Sequence, residues 1–164
     1  MGYTHYWKQY RNFDDREWSE ITKFVGRLCR SKEGKAILGT IGQEDKLLID
    51  TLEIRFNGKR KFNQDCETFL LSKIKPLPRE EYEKKNGYSF QFCKTRELPY
   101  DKFVTAALII ANNIAPKALV ITSDGFTEDW RDGLDLAHQF MIGLNLPNSL
   151  ETKTNYKRQL NAVI

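Results

Sequence analysis

Residues Phe103 to Ile114 are apolar on nearly every helical face, and a helix of that kind is stable only when other elements surround it. The remainder of the chain must therefore supply layers that cover a central helix. At 164 residues the length suits one domain with a sizeable core of its own.

The pattern along the chain says what those layers are. Tyr3 to Lys8 alternates bulky and polar residues, which predicts a strand at the first residues of the chain. Asp14 or Asp15 is placed to cap a helix whose apolar residues Trp18, Ile21, Val25, Leu28 and Cys29 recur at spacings of three and four, ending near Ser31 to Gly34. Ala36 to Ile41 and Ile49 to Phe56 read as strands. Asn57-Gly58 predicts a type I′ hairpin whose partner runs from Lys61 into Cys66 to Leu71, because both central positions of that turn need positive φ. Lys73 to Gly87, dense in charge and broken by Pro76 and Pro78, predicts a mobile loop. Tyr88 to Lys94 is the next strand, Pro99 marks the start of the apolar helix, and Ala118 to Thr122 is a short β-branched strand. Thr127 predicts the cap of a helix from Glu128 to about Leu144. The order mixes hairpins with helical returns, so the expected fold class is α+β, a mostly antiparallel sheet with about three helices on one face. Residues 1–145 form that single domain. Residues 146–164 form a C-terminal tail in which Tyr156, Leu160, Val163 and Ile164 supply some order.

Composition narrows the functional classes. The net charge of +4 arises from 26 basic against 22 acidic residues, an excess that permits an anionic partner without requiring one. Nucleic acid as partner and assembly into a homo-oligomer are both compatible with it. Three cysteines, Cys29, Cys66 and Cys93, fall inside predicted helix and strands, which argues against a secreted disulfide framework. The chain opens without an apolar leader and its longest apolar stretch is too short to span a bilayer, so the expectation is a cytoplasmic protein with no membrane partner.

Ligand chemistry is best placed where the strand Phe92-Cys93-Lys94-Thr95 gives way to Arg96-Glu97-Leu98-Pro99-Tyr100-Asp101. A helix start carries unpaired N–H groups and partial positive charge, so Lys94, Thr95 and Arg96 beside it predict a phosphate-binding pocket. Ordinary capping residues have the same composition. Asp101 with Glu97 would suit a ligand that also offers hydrogen-bond donors, such as a base or sugar. Ser123 and Asp124, ahead of Gly125, follow a strand and precede a helix, either as a second arm of the same site or as a simple Asx turn. His5 and Trp7 on the opening strand, or Tyr100 at the junction, are placed to stack on a planar ring; core packing of one strand face is the competing reading.

Catalytic patterns are missing. The sequence has no G-x-S-x-G, Walker A or G-x-G-x-x-G run, and His5, His138 and the cysteines show no zinc-site spacing, so neither a catalytic residue nor a metal or cofactor is assigned. Arg55, Lys59, Arg60 and Lys61 read as a basic hairpin tip or as a solvated turn.

The segments Met1-Gly2-Tyr3-Thr4-His5-Tyr6-Trp7, Phe56-Asn57-Gly58, Cys66-Glu67-Thr68-Phe69, Phe92-Cys93-Lys94-Thr95, Pro99-Tyr100-Asp101 and Ser123-Asp124-Gly125 together resemble a family of small proteins from phages and prophage-bearing bacteria. The resemblance spans residues 1 to about 135 and implies phage context rather than a chemistry. Small phage accessory proteins often counter host defence. The expectation is a protein that binds and sequesters a small anionic, nucleotide-derived immune signal without catalysis. An enzyme acting on a nucleotide, and a protein that blocks a host defence protein, are the alternatives.

Overall fold

Asp14 illustrates how local sequence sets the framework. Its side chain accepts the Glu17 N–H at 2.7 Å, while the Glu17 carboxylate accepts the Asp14 N–H at 2.9 Å. This reciprocal box satisfies two donors that a helix start leaves open, and it begins α1 (Asp15–Cys29). The helix buries Trp18, Ile21, Val25, Leu28 and Cys29, the predicted stripe. A computed structural model of the chain describes residues 2–39 and 47–163. Within them, α1 is joined by α2 (Lys32–Ile37), α3 (Glu81–Asn86), α4 (Asp101–Ile114), α5 (Arg131–His138) and α6 (Lys153–Ala162).

The strands make two antiparallel sheets rather than one. β1 (Thr4–Gln9) is the centre of the first, flanked by β5 (Ser89–Lys94) and β6 (Leu119–Ser123). β2 (Leu48–Ile49), β3 (Glu53–Phe56) and β4 (Phe69–Ser72) make the second, in that order. The fold class is α+β. Every residue of α4 from Phe103 to Ala111 is buried, as its all-round apolarity requires, and the core around it takes Trp7, Cys93 and Ile121 from the first sheet and Ile54, Phe56, Phe69 and Leu71 from the second. Trp7 and Phe69 join the two sheets with ring centroids 5.5 Å apart. α5 packs tightly on α4 because position 133 is glycine: a Cβ there would stand 2.0 Å from the Thr105 hydroxyl.

Several expected elements differ. Lys32–Ile37 is helical, capped by the Ser31 side chain, so no strand runs from Ala36; residues 40 and 41 of that expected strand lie outside the described residues, as does Ile164. Asn57-Gly58 is not a two-residue hairpin. Asn57 is buried, its Oδ1 accepting the N–H groups of Gly58 and Cys66 and its Nδ2 donating to the Cys66 carbonyl at 2.9 Å. One side chain thus closes the long connection that pairs β3 with β4, while Gly58 bridges to Leu38. The helix expected to reach Leu144 ends at His138, after a 3₁₀ turn over Thr127–Trp130. The predicted mobile segment contains α3, pinned by Glu83, whose carboxylate accepts the N–H groups of Arg79, Glu80 and Phe90. Beyond it, Leu144 and Leu150 enter the core. α6 buries none of its residues.

The free edges of the first sheet are partly occupied by side chains. On β5, Phe90 N–H donates to Glu83 and Lys94 N–H to Glu67; on β6, the Ile121 carbonyl accepts the Ser149 hydroxyl and the Leu119 carbonyl accepts Asn112 Nδ2. Side chains that fill edge groups in this way disfavour strand addition.

Candidate functional site

The junction ahead of α4 brings together four of the residues singled out in the sequence. His5 points inward from β1, fully buried, with Nε2 2.7 Å from Asp101 Oδ1 and Nδ1 2.8 Å from Ser123 Oγ. Thr95, also buried, donates its hydroxyl to the same Asp101 oxygen. Ser123 Oγ accepts the Gly125 N–H at 2.9 Å. In the tautomer with its proton on Nε2, that atom donates to Asp101 and Nδ1 accepts from Ser123. Both ring nitrogens of His5, Asp101 Oδ1 and the hydroxyls of Thr95 and Ser123 are used within this group. Tyr3 and Trp130 pack edge-on against the imidazole with centroids at 5.2 and 5.0 Å, and a Cβ at position 125 would stand 2.0 Å from the Tyr3 hydroxyl. Burial, and then the Asp101 charge, push the Tyr3 phenol above its ordinary range, so it stays protonated at neutral pH.

This junction is not the anion pocket that its sequence suggests. The N–H groups of Asp101, Phe103 and Val104 already donate to the carbonyls of Leu98 and Tyr100. The cleft beside it, of about 480 Å³, is lined by Glu97, Asp101, Glu128, Asp129 and Asp132, with Lys102 as its one basic residue and that lysine bonded to Glu33. Five carboxylates around one cleft repel a phosphate. Arg96 is exposed and outside the cleft lining; it and Glu97 stand at positive φ of 55° and 57°.

All three expected stacking residues are corrected by their placement. His5 is 0% exposed, Trp7 1% and Tyr100 0%, because all three side chains face inward. The Tyr100 hydroxyl donates to the Glu67 carbonyl at 2.7 Å, which ties α4 to the chain before β4. Asp124 is likewise occupied: its carboxylate accepts the Thr4 N–H at 2.9 Å and the Tyr6 hydroxyl at 3.2 Å.

Lys94 belongs to a different surface. In the β1–β5 register Thr4 faces Lys94, Tyr6 faces Phe92 and Lys8 faces Phe90, so these side chains share the side of the sheet opposite to His5 and Trp7. Phe90 and Phe92 are 36% and 47% exposed. The Tyr6 and Phe90 rings are 5.9 Å apart and inclined by only 22°. Where this face meets α3, Lys8, Arg79, Tyr82, Tyr88, Phe90 and Phe92 line a groove of about 530 Å³, and Lys8 Nζ stands 4.7 Å from the Tyr88 ring centroid. Burial raises the Tyr88 phenol to about 12, so the ring is neutral. The alternations Tyr6-x-Lys8-x-Tyr10 and Tyr88-x-Phe90-x-Phe92 are the sequence signal for this surface. Alternation gives two faces and does not say which one the helices cover.

No helix among the described residues is long and apolar enough to cross a membrane. Comparison of the chain with family models, with characterised proteins and with solved structures yields no match.

Proposed function

We propose that this chain binds a small anionic, nucleotide-derived ligand and holds it chemically unchanged, as a phage-type accessory protein would in withdrawing a host immune signal from solution. The observation that carries this reading is the groove in which the exposed rings of Tyr82 and Phe90 stand beside Lys8 and Arg79. A base needs an aromatic face and a phosphate needs a cation, and here the two lie within one concavity of about 530 Å³, inside the size range of small-molecule sites. Glu80 and Glu83 also line its wall, and the Glu83 carboxylate accepts three backbone N–H groups. The phage context rests on the sequence resemblance alone.

Sequestration works by mass action, which favours a nanomolar dissociation constant, near −12 kcal/mol. The protein would be incubated with AMP, cyclic dinucleotides, cyclic trinucleotides and ADP-ribose, then heat-denatured, and the released molecules chromatographed. Intact recovery in proportion to protein, weakened by about 1–3 kcal/mol in Phe90→Ala, is the expected result. Retention of none of them contradicts the reading.

A second reading, an enzyme acting on a nucleotide, draws on the order Ser123–His5–Asp101, which resembles the roles in a hydroxyl–imidazole–carboxylate triad. Against it stand the acidic cleft and the Tyr3 hydroxyl lying against Gly125 beside Ser123. Turnover in the same incubation, abolished by Ser123→Ala, would favour it.

A further inference from the structure

We infer that the groove is one end of a longer track on the open sheet face, and that the track takes single-stranded nucleic acid, with successive bases on successive rings and phosphates on the lysines that flank them. This rests on the reading that the groove accepts a nucleotide. The groove itself uses Tyr88, Phe90 and Phe92. The face continues beyond it: Tyr6, opposite Phe92 in the strand register, and Lys94, one step further along β5, lie outside the groove lining. Side chains on one face of a strand recur at about 6.6–6.8 Å, enough separation for each ring to hold its own base.

Charge follows the same direction. Lys8 lies beside the first rings and Lys94 lies two residues past Phe92, and among the described residues neither ammonium group forms an ion pair. The nearest acid on the β6 side, Asp124, is engaged by Thr4 and Tyr6. The edges of this sheet are partly filled by Glu83, Glu67, Asn112 and Ser149, which disfavours a partner adding as a further strand and leaves the face as the surface for binding. Aromatic rings flanked at each end by an unpaired lysine match the stacking platforms and backbone cations that hold single strands independently of sequence.

The test is an adenylate series of one, two, four and eight nucleotides, titrated into the wild-type protein, Tyr6→Ala and Lys94→Ala at two salt concentrations. Each further base that reaches a ring should tighten binding about five- to 150-fold, so the tetranucleotide should exceed AMP by at least tenfold. Tyr6→Ala should remove that gain while leaving AMP affinity within twofold, and Lys94→Ala should lower the magnitude of the log–log salt slope by about 0.7. Both side chains are partly exposed, and an unchanged melting temperature would confirm that the fold is intact. A tetranucleotide no tighter than AMP overturns the track and leaves the groove reading standing. A tight tetranucleotide with no detectable AMP binding supports the track and overturns the groove as a small-ligand site. Equal loss of AMP and tetranucleotide in Tyr6→Ala overturns the extended track, and binding of neither probe overturns both.

Discussion

The backbone N–H of Phe90 donates to Glu83 Oε1 at 2.6 Å, so the central ring of the groove and the helix that walls it are held by one hydrogen bond. The acceptor is charged, which makes such a bond stronger than its neutral counterpart. The bonds from Phe90, then Glu80 and Arg79, hold the Glu83 carboxyl below its ordinary range. A depressed folded value means that the contribution to stability is present above the unfolded value of about 4.3 and is lost as pH falls through the folded value. Urea unfolding of wild type and Glu83→Gln should therefore show the variant less stable at pH 7, with the difference shrinking toward pH 3. A difference that grows on acidification would contradict the assignment.

Tyr100 is expected to matter for stability and not for binding. Tyr100→Phe removes a buried donor from the Glu67 carbonyl and should cost about 1–2 kcal/mol in denaturant unfolding. Ligand affinity measured by calorimetry should not change. A selective loss of affinity with unchanged stability would return the site to the junction.

The same logic separates structure from catalysis at His5. Ser123→Ala leaves His5 Nδ1 without its partner in a buried setting, at a cost of about 1–3 kcal/mol of stability. It should leave nucleotide retention by the folded protein intact.

Limited trypsin digestion should cut within α6, at Lys157 or Arg158, before it cuts within α3 at Lys84 or Lys85. No residue of α6 is buried, whereas Glu83 fastens the start of α3 to β5. Mass spectrometry of the first fragments decides the order.

Elements whose causes are local could be read from sequence. The Asp14 cap, the α1 stripe and the all-apolar α4 each depend on neighbours within a few positions, and each appears at its predicted place. Asn57 could not be read in this way, because its conformation is fixed by Cys66 and by a bridge to Leu38 that sequence proximity does not reveal. At the candidate site, the meeting of His5, Thr95, Asp101 and Ser123 at one sheet end was legible from strand ends and helix starts. Its charge was not, since Glu128, Asp129 and Asp132 arrive from a distant part of the chain. Lys94 was singled out correctly as a basic residue at a strand end, but the pleat turns it away from that cleft and onto the ring-lined face.

The most direct measurement is an amide chemical-shift titration of the ¹⁵N-labelled protein with AMP. The groove account predicts that the largest shifts fall on Lys8, Glu83, Tyr88 and Phe90, with Thr95, Asp101 and Ser123 nearly unmoved. Shifts centred on Thr95 to Asp101, with the groove residues unmoved, would contradict it.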